Sequence, residues 1–238
     1  MKAFLDILSF GPDGWGHVLM MAALVSVSLA VVGFLLGAII GVLAAWAKIS
    51  GGLALRGIAD GYTTIIRGIP DLLVIYLFYF GGSAAVTAIG HMFGAQGFVG
   101  FPAFLAGVLA IGISCGAHHT EVFRGAFRAV SKGELEAASA CGMGQALKFR
   151  RIIAPLALRH ALPGLGNVWQ VALKESALIS VVGVVDILRQ SQIGAGSTGL
   201  PFNFYLIAGA LYLLISSVSG TILQRAERHF SRGVRRAK

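Results

Sequence analysis

Apolar residues in this chain come in long blocks rather than in the short alternating or amphipathic patterns of a water-facing fold. The blocks predict helical membrane spans at about residues 17–47, 53–80, 101–123, 165–188 and 202–223. Each reaches the roughly 20 residues of helix that cross a bilayer. The first carries no acidic or basic charge between its ends. The second is less uniform: it contains Arg56, Asp60, Arg67 and Asp71, and Pro70 is placed to kink it. The fourth contains Lys174 and Glu175.

Composition strengthens this reading. Of 238 residues, 56% are hydrophobic and 12% charged, against about 25% charged in a soluble domain. The mean hydropathy is +0.81. The 33 glycines suit membrane helices, whose backbones approach closely at small residues. Cys115 falls in an apolar block and Cys141 in a basic one; the pair suggests neither a disulfide framework nor a metal site. The N-terminus does not read as a cleavable signal peptide, because its apolar run is broken by Asp6, Gly11, Pro12 and Asp13.

The placement of charge sets the topology. Lys48 and Arg56 flank the first connection, and the second, at about residues 81–100, has no lysine or arginine. The third holds Arg124, Arg128, Lys132, Lys148, Arg150, Arg151 and Arg159; the fourth has only Arg189. The tail adds Arg225, Arg228, Arg232, Arg235, Arg236 and Lys238. Alternate connections and the tail thus hold 15 of the 19 basic residues. The positive-inside rule places the C-terminus in the cytoplasm and, with five spans, the N-terminus in the periplasm. The net charge of +9 therefore serves topology, with attraction of the tail to anionic lipid. No nucleic-acid motif accompanies it.

The third connection is more than a tether. Ser131 followed by Glu134 forms a capping-box pattern, and the run after it is rich in good helix formers. Gly142 and Gly144 interrupt that run, and Pro155 and Pro163 are expected to close it. This predicts two short cytoplasmic helices joined by a glycine turn, with Leu135, Ala138, Cys141 and Met143 as an apolar face. Such a hairpin either shields the helix ends or docks a cytoplasmic partner.

Spacing in this loop carries a resemblance. Glu136-Ala137-Ala138, then Gly142, Ile152 and Pro155, is similar to the EAA loop of ATP-binding-cassette importer permeases. One departure is Ala154 where that family usually has leucine. Tyr62-Thr63-Thr64 with Arg67-Gly68-Ile69-Pro70-Asp71, Glu121 to Ala126, and Lys174-Glu175-Ser176-Ala177-Leu178 resemble the polar-amino-acid uptake permeases. Pro163 to Gln170 resembles the histidine/lysine/arginine/ornithine and opine branch. The resemblance implies a type I importer permease fold as one transmembrane domain spanning residues 1–238, with its coupling loop at about 125–163. It further implies a second permease, more readily a paralogue than an identical copy, a cytoplasmic ATPase dimer and a periplasmic substrate-binding protein, all at a bacterial inner membrane. In the loop, Glu136 would orient the docking helix, Ala137 and Ala138 would allow close approach, and Gly142 would make the turn. No glycine-rich phosphate loop ending in Lys and Ser/Thr occurs. ATP and magnesium are accordingly expected on partner subunits, and this chain is expected to bind no cofactor.

Ionisable residues within a span are costly and mark candidate sites. Lys174 and Glu175 fall near the midplane if their span starts near Leu165. Lys174 would meet a carboxylate and Glu175 an ammonium, although adjacent helical residues point about 100° apart. The competing reading pairs either one with a neighbouring span. Arg67 is expected in a structural ion pair with Asp71 or Glu175, and Glu121 in one with Arg124. Asp60 is expected near the cytoplasmic surface, and His118 and His119 lack the carboxylates that would complete a metal site. The favoured reading is an ATP-driven importer permease for a polar, cationic amino acid or opine. Its alternatives are an ATP-independent transporter or channel, and a membrane scaffold.

Overall fold

The computed structural model describes residues 7, 9–11 and 14–230. The broken N-terminal run and the tail residues Arg232, Arg235, Arg236 and Lys238 lie outside the described residues. Among those described the chain is helical throughout, without strands.

Helix α1 spans Gly16–Ser50. Its buried positions, Leu19, Ala23, Ser26, Ala30, Gly33, Gly37, Gly41, Ala45 and Lys48, recur every three or four residues. Leu24, Leu35, Ile39, Leu43 and Trp46 stand exposed on the other side. An apolar face of that extent would drive aggregation in water and matches lipid instead. The small residues let α4, Ala103–Ala129, press against α1. A Cβ at Gly41 would lie 2.4 Å from the His119 Cβ, and one at Gly37 2.8 Å from the Cys115 Cβ. Close backbone approach of this kind replaces the hydrophobic drive that helices lack in lipid. Helix α4 is the centre of the bundle: most of its apolar stretch is buried, and it touches four other long segments.

The predicted second span is two helices. Helix α2, Leu53–Gly68, ends at Ile69, and α3, Asp71–Met92, begins after Pro70. Ile69 and Pro70 are extended, with ψ of 148° and 136°. Proline disfavours helix in the residue before it and has no N–H to donate. The Pro70 carbonyl then caps the new helix by accepting from Leu73 at 2.9 Å. The kink is thus a complete break, and α3 runs well past residue 80.

The long basic connection opens on α5, Lys132–Ala140. Its capping box is formed: Ser131 Oγ accepts from the Glu134 N–H at 3.2 Å, and the Glu134 carboxylate accepts from the Ser131 N–H at 3.0 Å. Gly142 makes the turn with φ +72°. The second helix does not close at Pro155. Gln145–Lys148, a π turn at Phe149–Ile153 and α6, Ala154–Ser176, follow without a break. The π turn ends two residues before Pro155, where an ordinary helical turn would need a donor that proline lacks. Pro163 also lies inside α6.

The predicted fourth span is displaced as well. Helix α6 starts eleven residues earlier than expected and gives way to a 3₁₀ segment, Ala177–Val182. Gly183 then turns the chain with φ +90°. The Asp186 carboxylate caps α7, Ile187–Thr198, by accepting from the Arg189 N–H at 2.8 Å. Helix α8, Pro201–Phe230, closes the bundle. By length and composition α1, α3, α4 and α8 are able to cross a membrane. Helix α6 is a fifth long helix of 23 residues, more polar through Arg159, Asn167, Gln170, Lys174 and Glu175.

Candidate functional site

The break in the second span places acidic groups in the interior. Asp71 heads α3, where the partial positive charge of a helix N-terminus favours a carboxylate. Glu175 comes from the last turn of α6 and is 4% exposed. Between them stands Ser114, near the midpoint of α4. Its hydroxyl lies 2.8 Å from Asp71 Oδ1 and 3.0 Å from Glu175 Oε1. A serine hydroxyl has a single proton to donate. Two acidic side chains therefore converge on a group that satisfies only one of them, and no cation among the described residues pairs with either.

Lys174 does not join this cluster. It is exposed on another face of α6 and borders a largely apolar groove of about 390 Å³ with Gln170, Tyr212 and Ser216. The helical angle between neighbours separates the two residues. Arg67 also makes neither of its expected pairs: it is exposed at the end of α2, with no ion pair among the described residues. The helix break after Gly68 removes the helical register that would have brought Arg67 and Asp71 together.

Where the end of α1 meets α2 and α4 lies an ionic cluster. Glu121 pairs with Arg124, whose Nε donates to Oε2 at 2.9 Å. Its other oxygen accepts from Lys48 at 2.8 Å. Lys48 also donates to Thr63 Oγ1 at 2.6 Å and pairs with Asp60 at 2.9 Å. Its side chain is 6% exposed, so this single lysine fastens the three helices together. Asp60 remains half-exposed.

The loop residues sort by exposure. Leu135 turns inward against Ala126, Val130, Ala157 and Ala161, anchoring α5 on α4 and α6, and Ala138 is buried as well. Glu136, Ala137 and Pro155 are exposed, as is Gly142 at the turn; Ile152 is half-buried. The hairpin therefore has an anchored side and a free side. Cys141 is exposed rather than part of the anchored side. Pattern reading missed Ser114, Thr63 and the latching role of Lys48. Ser114 is one polar atom in an apolar run, and Lys48 looks like an ordinary residue at a helix end. Asp71 was legible as an intramembrane acid but not as a neighbour of Glu175.

Comparison with known proteins identifies the family. Residues 33–236 match the family described as binding-protein-dependent transport system inner membrane component. The chain is 55% identical to the octopine transport system permease protein OccQ of Rhizobium meliloti over 98% of each chain. It is 41% identical to the histidine/lysine/arginine/ornithine transport system permease protein HisQ of Escherichia coli, covering 94% of this chain and 98% of that one. Among solved structures, an amino acid ABC transporter crystallised with histidines superposes with a TM-score of 0.77 at 32% identity, over 90% of this chain and 95% of that one. The methionine transporter MetNI shares the fold, with a TM-score of 0.72 at 16% identity over 94% of this chain and 100% of that one. The chain belongs to the family of binding-protein-dependent transport system inner membrane components, and it is an inner-membrane permease subunit of an ATP-driven importer.

Proposed function

We propose that this permease carries a cationic amino acid or an opine, and that Asp71, Ser114 and Glu175 receive its positively charged group. The observation that supports this is the convergence of two carboxyl side chains on one hydroxyl, without a cation from the chain itself. A guanidinium has five N–H donors in a fixed fork and matches such an arrangement. The break at Ile69-Pro70 opens the backbone beside the site, as discontinuous helices do in transporters whose sites lie near the midplane. The names of the octopine and basic-amino-acid relatives point to the same substrate class.

The rest of the importer is assigned from the same reading. The free side of α5, with Glu136 and Ala137, docks on an ATPase dimer, and Gly142, Ile152 and Pro155 hold the hairpin in shape. ATP and magnesium bind on that separate subunit. A paralogous second permease completes the pathway, and a periplasmic binding protein delivers substrate. Closure of the ATPases shifts the hairpin, and its anchored side passes the shift to α4 and α6, because packed interfaces switch between discrete arrangements.

The test is substrate affinity in the complex purified from its own membranes. Charge-assisted hydrogen bonds contribute about 1.5–3 kcal/mol, so Glu175→Gln should weaken arginine binding by roughly 10–100-fold. Co-purification of the ATPase with the variant checks folding. Unchanged affinity and uptake rate in a folded variant would remove Glu175 from the site.

A further inference from the structure

Below the acidic cluster, toward the cytoplasmic ends of the helices, a second polar space opens in the bundle. It has a volume of about 440 Å³ and is lined by Lys48, Thr63, Thr64, Arg67, Gly68 and Glu121. Most charges around it are committed. The three ammonium protons of Lys48 go to Thr63, Asp60 and Glu121. Glu121 is shared between Lys48 and Arg124, and Arg56 lies 4.0 Å from Asp60. Thr63 spends its hydroxyl proton on the backbone of α2. Arg67 is the exception: its guanidinium borders the space with no ion pair among the described residues. The lining itself holds two cationic side chains, Lys48 and Arg67, against one carboxylate, Glu121.

We infer that this space is a carboxylate-binding site, in which Arg67 holds the carboxylate end of the transported molecule and the hydroxyl of Thr64 assists. The inference rests on the reading of Asp71, Ser114 and Glu175 as the cation site. A guanidinium presents parallel N–H donors that fit a carboxylate in two-point contact. The excess of positive charge disfavours a cation in the space and favours an anion. The two sites also lie at a usable separation. Along α4, Glu121 is seven residues beyond Ser114, a rise of about 10 Å, and Arg67 precedes Asp71 by one short extended segment. An elongated molecule with a cation at one end and a carboxylate at the other spans such a gap. An opine offers a second carboxylate to the same positive field.

Direct binding to the intact complex tests this, with arginine and its decarboxylated counterpart agmatine as probes, in nanodiscs of neutral lipid and of lipid containing phosphatidylglycerol. The wild-type complex should bind arginine at least tenfold more tightly than agmatine. Arg67→Gln should lower arginine affinity to the level of agmatine while leaving agmatine unchanged, and Arg67→Lys should restore part of the preference. Glu175→Gln, by contrast, should weaken both probes alike. A folded Arg67→Gln complex that keeps the wild-type preference would overturn the carboxylate site without touching the cation site. Loss of preference in Arg67→Gln with full binding by Glu175→Gln would instead retain the carboxylate site and reject the cation site. An Arg67→Gln effect confined to phosphatidylglycerol nanodiscs, with the preference unchanged in neutral lipid, would assign the space to a lipid headgroup and overturn the proposal. Absence of binding to the wild type would overturn both sites.

Discussion

Lys174 and Glu175 show what a single position along a helix decides. They are neighbours in sequence, yet one faces out beside an apolar groove and the other is buried against Ser114. Both were legible as costly intramembrane charges; which one meets the interior depends on the rotation of α6, which no local pattern specifies. Lys48 was illegible for the opposite reason. At the end of an apolar run it reads as a topology marker, and only the convergence of α1, α2 and α4 turns it into a buried three-way partner. Lys48→Ala would leave Asp60 and Glu121 without their shared cation. A group stripped of a charged partner costs about 2 kcal/mol, so the unfolding temperature of the purified complex should fall, and Lys48→Arg should recover part of the loss. At the loop surface, Glu136→Lys reverses an exposed charge and touches no core residue. Uptake should be abolished while the chain still inserts in the membrane; normal uptake in that variant would sink the docking assignment.

At the level of elements, the local signals that proved reliable were the ones satisfied by groups close in the chain. The capping box of α5 and the Gly142 turn are of this kind. Gly142→Ala must hold a side chain at φ +72°, which costs about 1–2 kcal/mol. The hairpin should lose its fixed shape, and ATP hydrolysis should continue with less substrate moved per ATP. Element boundaries were harder. Apolar residues on both sides of Pro70 read as one span, and those on both sides of Gly183 read as another, because hydropathy does not register a chain reversal or a break. Pro155 and Pro163 read as helix ends, but a π turn leads into the helix that starts beside the first, and the second lies inside that same helix. The α1–α4 contact is set at this scale too. At Gly41 a side chain would meet both the His119 Cβ and its backbone carbon at 3.0 Å, and backbone does not yield as a rotamer does. Gly41→Val should cost about 1–3 kcal/mol through overpacking, read as a lower thermal midpoint in detergent.

Across the whole molecule, orientation follows from where the positive charge lies, and it is testable with the protein's own thiols. Cys141 is exposed on the basic loop and Cys115 is buried in α4. A membrane-impermeant maleimide should label Cys141 in inverted vesicles and not in intact spheroplasts, and bound ATPase should protect it; labelling from the periplasmic side would reverse the topology. Helical membrane character, the position of the basic loop and the spacing in it that resembles a coupling motif are all readable along the chain. These are properties of short windows: an apolar block must find lipid, and a cap or a glycine turn is satisfied within a few residues. Only the tertiary structure decided which charges meet. Asp71, Ser114 and Glu175 come from three helices, as do Lys48, Thr63 and Glu121. Their encounter depends on helix rotation, on the break at Pro70 and on the closeness that Gly37 and Gly41 allow, and each of these is a relation between segments far apart in the chain.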